Sequence, residues 1–292
     1  MTAYKTRELH PEFGIEIEGV DLSAPLSTSQ FARIRALYDA HSVVAIPGQD
    51  LTPAAQVSFL KRFGKPKISQ RKEFHLEGRP EIGKVGNVKK PDGTPAAFLD
   101  RAGDLWHTDT SSDSHIDAVT MLYCVQTPSE GGDTLFCSMH AALESLPKAA
   151  RERIRALGVV HSFNKHNDAL LAKNPGSAKP LSAEDRAKWP DRIHKVVQEH
   201  PVTGREHYFV SPTLVKTFDG MDEPQSAALA KELMEHATQP DRVYRHVWRV
   251  GDLVFWDNRA AMHSATPARS YDCVGGGERL MHRAYAYTNL PL

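Results

Sequence analysis

The chain has 292 residues, 40% of them hydrophobic and 25% charged, and its 36 basic and 36 acidic side chains cancel to a formal net charge of zero. That composition suits a globular protein with a sizeable core and supplies no long-range field for nucleic acid or a membrane surface. Three scattered cysteines without CxxC spacing, a start lacking an apolar signal segment, and no apolar run of spanning length together predict a cytoplasmic protein with no membrane and no nucleic-acid partner.

Residues 14–20 alternate apolar and charged side chains and predict a half-buried strand. Ser27 or Thr28 then caps a helix carrying Phe31, Ile34, Leu37 and Tyr38. A short buried strand is expected over 42–48. The next helix has Thr52 as N-cap and Pro53 at its first position. Residues 65–105 are rich in Lys, Arg, Gly and Pro and read as a loop-dominated insertion with a strand-like piece at 82–88. The β-branched and apolar run at 118–125 predicts a strand. Gly131-Gly132-Asp133 predicts a turn into another strand that reaches Cys137. Helix is expected from Ser138 through Leu146 and again after Pro147. Residues 163–195 are polar and read as an insertion or lid. Strands return at 196–197, 207–210 and 244–248, with a helix over 224–236, and the last strands lie at 253–256 and 283–287. No repeat or linker divides the chain, so 1–292 is read as a single domain. Short strands joined by turns suggest a mainly β fold with flanking helices on a double-sheet jelly-roll core, the double-stranded β-helix of cupin-like proteins.

Three groups of residues carry chemistry. His107 and Asp109 form a His-x-Asp pair that a strand would place on one face. Alone, such a pair is more often a surface feature than a ligand set. His263, following Trp256-Asp257-Asn258-Arg259, supplies a second imidazole. Two imidazoles and one carboxylate on one side of a metal leave the other side open, the arrangement suited to non-haem Fe(II) and O₂. His115, in a loop with Asp113 and Asp117, is the competing ligand and reads more naturally as a turn residue. Arg279 and Arg283 lie at even spacing, so a strand would turn both, with Met281, to one sheet face. Facing inward they would hold anions, because an uncompensated buried guanidinium is costly; facing outward they would be a basic strand edge. Thr134 could donate its hydroxyl to a carboxylate or simply close the turn before it.

At these residues the sequence resembles the taurine dioxygenase/2,4-dichlorophenoxyacetate dioxygenase family of Fe(II)/2-oxoglutarate-dependent oxygenases. The matching pieces are residues 14–22, 47–49, 105–109, 131–134 and 251–259 and the arginine pair, in order along nearly the whole chain. Residues 129–137 look closer to the aryloxyacetate branch than to the taurine branch. The resemblance implies iron held by His107, Asp109 and His263, and 2-oxoglutarate held by Thr134 and Arg279. It also implies a primary substrate held by Arg283, with Asn87 falling where the family often contacts substrate. O₂ and 2-oxoglutarate would be consumed, succinate and CO₂ released, and a small anionic substrate hydroxylated, with ether or C–S cleavage as a consequence. An aryloxyalkanoate is favoured over a sulfonate or sulfate, and a homo-oligomer is expected. The segment from His263 to Arg279 is longer than the family's and carries Gly275-Gly276-Gly277. A zinc hydrolase, which would need a general base beside the metal, and a non-catalytic metal-binding jelly roll are the rival readings. Neither accounts for an inward arginine pair.

Overall fold

A computed structural model describes residues 4–69, 71–98, 105–113, 117–173, 180–266 and 277–287. In chain order the elements are β1 (Lys5–Glu8), β2 (Ile15–Glu18), α1 (Thr28–His41), β3 (Val43–Ile46), α2 (Pro53–Leu60), β4 (Lys65–Lys67), β5 (His75–Leu76), β6 (Arg79–Gly86), β7 (Asp117–Gln126) and β8 (Thr134–Ser138). There follow α3 (Met139–Ser145), α4 (Lys148–Arg155), β9 (Gly158–His161), α5 (Phe163–Lys173), α6 (Ala183–Lys188), β10 (Arg192–Lys195), β11 (Val197–Glu199), β12 (Glu206–Tyr208) and β13 (Val215–Phe218). The last elements are α7 (Glu223–Ala237), β14 (Tyr244–His246), β15 (Leu253–Trp256), β16 (Ala261–Ala265) and β17 (Leu280–Tyr287).

Two sheets form the jelly-roll core. The larger has strand order β1-β2-β3-β15-β7-β17-β6-β5, with β4 also pairing β17, and the smaller is β14-β8-β16. Alternation along the strands decides what each face of the large sheet covers. Ile15, Ile17, Val44, Ile46, Val119, Met121, Phe255, Ala284 and Ala286 pack against Ile34 and Tyr38 of α1 and Val57, Phe59 and Leu60 of α2. The residues between them, Val43, Ala45, Leu122, Cys124, Val254, Trp256 and Met281, turn to the opposite face and meet Phe136 and Ala261 of the small sheet. A third cluster joins α3, α4 and α7 to β9, β11, β12 and β13.

The helix starts follow the sequence closely. Ser27 accepts from Gln30 N and the Gln30 side chain bonds back to the Ser27 backbone, a reciprocal capping box. Thr52 caps α2 through Ala55 N, with Pro53 in its first turn.

One expectation is corrected. The 65–105 segment is not loop-dominated over its first half: β4, β5 and the eight-residue β6 belong to the large sheet. Its polar sequence misled because only Ile82 and Gly86 of β6 are buried, so the apolar alternation of a core strand is missing. Within 163–195, read as an insertion or lid, the described residues include α5, α6 and β10; α6 buries none of its residues and is set up by Ser182, which accepts from Asp185 N.

Candidate metal centre

The two histidines are brought together by backbone pairing. His107 N donates to His263 O and His263 N donates to His107 O, each at 3.0 Å, so the residues sit directly opposite and their rings project to the same side, with centroids 4.2 Å apart. His263 lies on β16, and His107 extends the edge of the small sheet by this single bridge. Asp109 arrives differently from the sequence expectation. It is not on a strand; the chain turns after Thr108, with Thr110 at φ 60°, and that turn swings the carboxylate back towards the imidazoles. Asp109 Oδ1 lies 3.7 Å from His107 Nε2, and Oδ2 lies 3.8 Å from His263 Nε2. One donor atom from each residue falls within 4.8 Å of the others.

The protonation states suit a cation. His107 Nδ1 lies 2.7 Å from Leu105 O, a carbonyl that can only accept, so Nδ1 carries a proton and Nε2 is the nitrogen turned towards Asp109. Burial pushes the His263 imidazole down to about 3, helped by His107 and Arg283 and opposed by Asp109, so the ring is neutral, the form that binds metal. Burial pushes the Asp109 carboxyl up, but His263, His107, Arg283 and the Thr120 hydroxyl outweigh it and hold the group below its ordinary value. Two imidazoles and one carboxylate around a common point fit a divalent cation. His115 lies outside the described residues.

The arginines sit in different surroundings. Arg279 precedes β17 and is not part of it, and a register shift between Leu280 and Met281 against β7 sits just after it. Its Nε donates to Gly132 O at 3.0 Å and it is 5% exposed; burial pushes the neighbouring Cys124 thiol up to about 12, with the Arg279 charge opposing. Gly132 has φ 71°, and a Cβ there would sit 3.0 Å from Arg279 Cδ, so the glycine lets the guanidinium pass. A Cβ at Gly86 would overlap the Arg279 carbonyl, so β6 also needs glycine at this crossing. Thr134, two residues beyond Gly132, accepts from Trp248 Nε1 at 3.0 Å, which leaves its own hydroxyl proton to be donated. Arg283 lies farther along β17, over the Tyr285 ring at 5.0 Å, and its charge acts on both Asp109 and His263. The Asn87 amide is engaged by the backbone. Its Oδ1 accepts from Arg279 N at 2.6 Å and its Nδ2 donates to Gly277 O at 3.3 Å, so it ties down the chain that carries Arg279.

A cavity of about 200 Å³ opens on His107 and Asp109 and is walled by Phe163, His166, Trp189 and Leu214, with Asp113 at its edge. Phe163 and Trp189 pack with ring centroids 5.0 Å apart. Lys67 of β4 neutralises Asp113 at 2.7 Å. The sequence reading passed over these walls; the only signal was an aromatic pair inside a polar segment.

A jelly roll holding two histidines and one carboxylate at a point open to a cavity defines a non-haem iron enzyme. The family model described as "Taurine catabolism dioxygenase TauD, TfdA family" matches residues 5–285. The chain is 33% identical over 273 residues to the alpha-ketoglutarate-dependent 2,4-dichlorophenoxyacetate dioxygenase of Cupriavidus pinatubonensis, covering 90% of this chain and 91% of that one. It is 29% identical to the alpha-ketoglutarate-dependent sulfate ester dioxygenase of Pseudomonas putida, over 98% of this chain and 91% of that one. A crystal structure of a taurine dioxygenase from Burkholderia xenovorans superposes with a TM-score of 0.80 at 28% identity, covering 100% of this chain and 91% of that one. The chain belongs to the TauD/TfdA family. It is an Fe(II)/2-oxoglutarate-dependent dioxygenase that uses Fe(II), 2-oxoglutarate and O₂, and the hydrolase and non-catalytic readings are set aside.

Proposed function

We propose that His107, Asp109 and His263 hold the iron, that Arg279 and Thr134 hold the distal carboxylate of 2-oxoglutarate, and that the substrate is an aryloxyalkanoate-type acid held by Arg283. The observation that carries the substrate reading is the cavity beside His107 and Asp109. It offers an aromatic wall in Phe163 and Trp189, while the Arg283 charge reaches the metal ligands. An aryl ring stacks on the wall and the carboxylate meets the guanidinium, which fits planar carboxylates by paired hydrogen bonds. With 2-oxoglutarate and O₂, the bound iron supplies the oxidant for the substrate C–H bond. Hydroxylation of the carbon next to the ether oxygen gives a hemiacetal, which falls apart to a phenol and an oxo acid. The protein orients the carbon, matches the charges and keeps water away. A sulfate ester is the second reading, supported by the relative from P. putida and by the same guanidinium. Within the described residues no helix is long and apolar enough to cross a membrane. The buried thiols of Cys124 and Cys137 support a reducing, cytoplasmic setting.

Succinate release with a panel of phenoxyacetate, 2-phenoxypropionate, an alkyl sulfate and taurine tests the substrate class. Phenol formation coupled to succinate only with the aryloxy acids is expected; turnover confined to the sulfate ester moves the reading to the second class. The arginine roles are tested by contrast. Arg279→Ala is expected to weaken 2-oxoglutarate binding by about 10- to 150-fold, the equivalent of losing about 1.5–3 kcal/mol from a charged hydrogen bond. The visible charge-transfer band of the Fe(II)–2-oxoglutarate complex under nitrogen reads this. Arg283→Ala should preserve that band and instead raise KM for the acid. Loss of the band in Arg283→Ala alone would exchange the two roles.

A further inference from the structure

Asp109 is the terminus of a buried, one-directional hydrogen-bond relay. Trp256 Nε1 donates to Asn258 Oδ1 at 3.0 Å, Asn258 Nδ2 donates to Thr120 Oγ1 at 2.8 Å, and Thr120 Oγ1 donates to Asp109 Oδ2 at 3.0 Å. Trp256, Asn258 and Thr120 are 1%, 1% and 0% exposed. The direction follows from chemistry. An indole nitrogen can only donate, so it fixes the Asn258 oxygen towards itself and the amide nitrogen towards Thr120. Thr120 then accepts from Asn258, and its single proton goes to the carboxylate, which can only accept. The elements keep the relay in register. Thr120 lies on β7 opposite Trp256 of β15 on one side and Tyr285 of β17 on the other, in the middle of the large sheet.

The geometry points to Thr120 as a positioning residue that reserves one oxygen of Asp109 and leaves the other to the metal. Asp109 Oδ2 is engaged by Thr120, while among the described residues Oδ1, on the His107 side, accepts no hydrogen bond. A carboxylate that gives one oxygen takes one coordination position; one that gives both takes two and competes with 2-oxoglutarate and O₂ for the remainder. With Oδ2 held by the Thr120 hydroxyl, Asp109 would present Oδ1 to the metal. Outer-sphere hydrogen bonds of this kind typically change metal affinity or activity by about 10- to 100-fold when removed. The inference rests on Asp109 being an iron ligand.

Calorimetric titration with Mn(II), a redox-silent substitute, and then of 2-oxoglutarate onto the Mn(II)-loaded protein, tests it without turnover. Thr120→Val keeps shape and removes the donor. It is expected to weaken Mn(II) binding by about tenfold and to weaken 2-oxoglutarate binding to the loaded protein as well. Thr120→Ser restores the hydroxyl and should return both affinities to within about twofold of the wild type. Asn258→Asp keeps size but removes the amide donor to Thr120, so it should give a change in the same direction even if Thr120→Val folds poorly. Wild-type affinities in Thr120→Val at an unchanged Tm, or Thr120→Ser as weak as Thr120→Val, overturn the relay. Loss of Mn(II) binding in Asp109→Ala alongside such a result leaves the ligand assignment standing. Wild-type Mn(II) binding in Asp109→Ala removes both.

Discussion

Asp109→Ala is expected to abolish Fe(II)-dependent succinate release and to lower Mn(II) affinity more than any change in the relay behind it. Three protein ligands are the minimum of such an open site, and Asp109 supplies its only anionic one. Without it, two neutral imidazoles must hold a divalent cation alone. The fold should tolerate the change. The Asp109 side chain is 14% exposed and sits in a turn, not in a packed layer, so a Tm shift of only a few degrees is expected. His263→Ala should separate the same loss of activity from a larger loss of stability, because its ring packs against Trp256 at 4.7 Å and near Phe136. Succinate assays, Mn(II) calorimetry and thermal melts on the two variants check this. Turnover persisting in Asp109→Ala at saturating iron would take Asp109 out of the ligand set.

The sequence carried the site's donor types better than their support. His107, Asp109, His263, Thr134 and Arg279 were each ambiguous alone and could be singled out only as a set whose order along the chain resembles a family. The partners that hold them could not. Thr120 is an ordinary β-branched residue in an apolar strand, 138 positions from the Asn258 that orients it. Only folding shows that its hydroxyl faces a carboxylate. Asn87 is the converse case: its position suggested a ligand contact, and folding shows in addition that its amide holds the Arg279 and Gly277 backbone. Helix starts were legible because capping is local, as at Ser27 and Thr52. Strands that meet water or other polar groups were not. β6 was legible only in its second half, as the strand-like piece at 82–88; its polar first half is a strand because the sheet continues through it, with β17 beside it placing Arg283 opposite Gly83 and Leu280 opposite Gly86. β9 and β13, four residues each, are too short to show a period and exist through pairing with each other and β10.

Asp257→Asn should produce the largest stability loss of any single polar change near the site. Asp257 and Arg259 are 2% and 5% exposed and form a two-point ion pair, with Arg259 Nε to Oδ1 at 2.8 Å and Nη2 to Oδ2 at 2.5 Å. His200 adds a third contact to Oδ2 at 3.0 Å. The same residue closes the turn between the sheets: Asp257 N donates to Ser42 O, and Asp257 O accepts from Ala260 N and Ala261 N at the start of the strand that carries His263. Burial pushes the carboxyl up, yet Arg259 and His200 hold it well below the ordinary carboxylate range. Because the folded-state value is depressed, the stability it contributes is complete above the unfolded value of about 3.9 and is lost as pH falls below it. The amide variant leaves the Arg259 guanidinium buried against a neutral group, a loss of about 3–5 kcal/mol at neutral pH, or on the order of 10 °C in Tm for a chain of this size. Adding Arg259→Leu to Asp257→Asn should recover part of that loss, since the stranded charge is then removed. Urea unfolding from pH 7 to pH 3 checks both claims. The wild type should lose stability below about pH 4 more steeply than Asp257→Asn. Parallel acid limbs, or a neutral-pH stability equal to the wild type, would mean that the pair contributes nothing beyond the shape it fills.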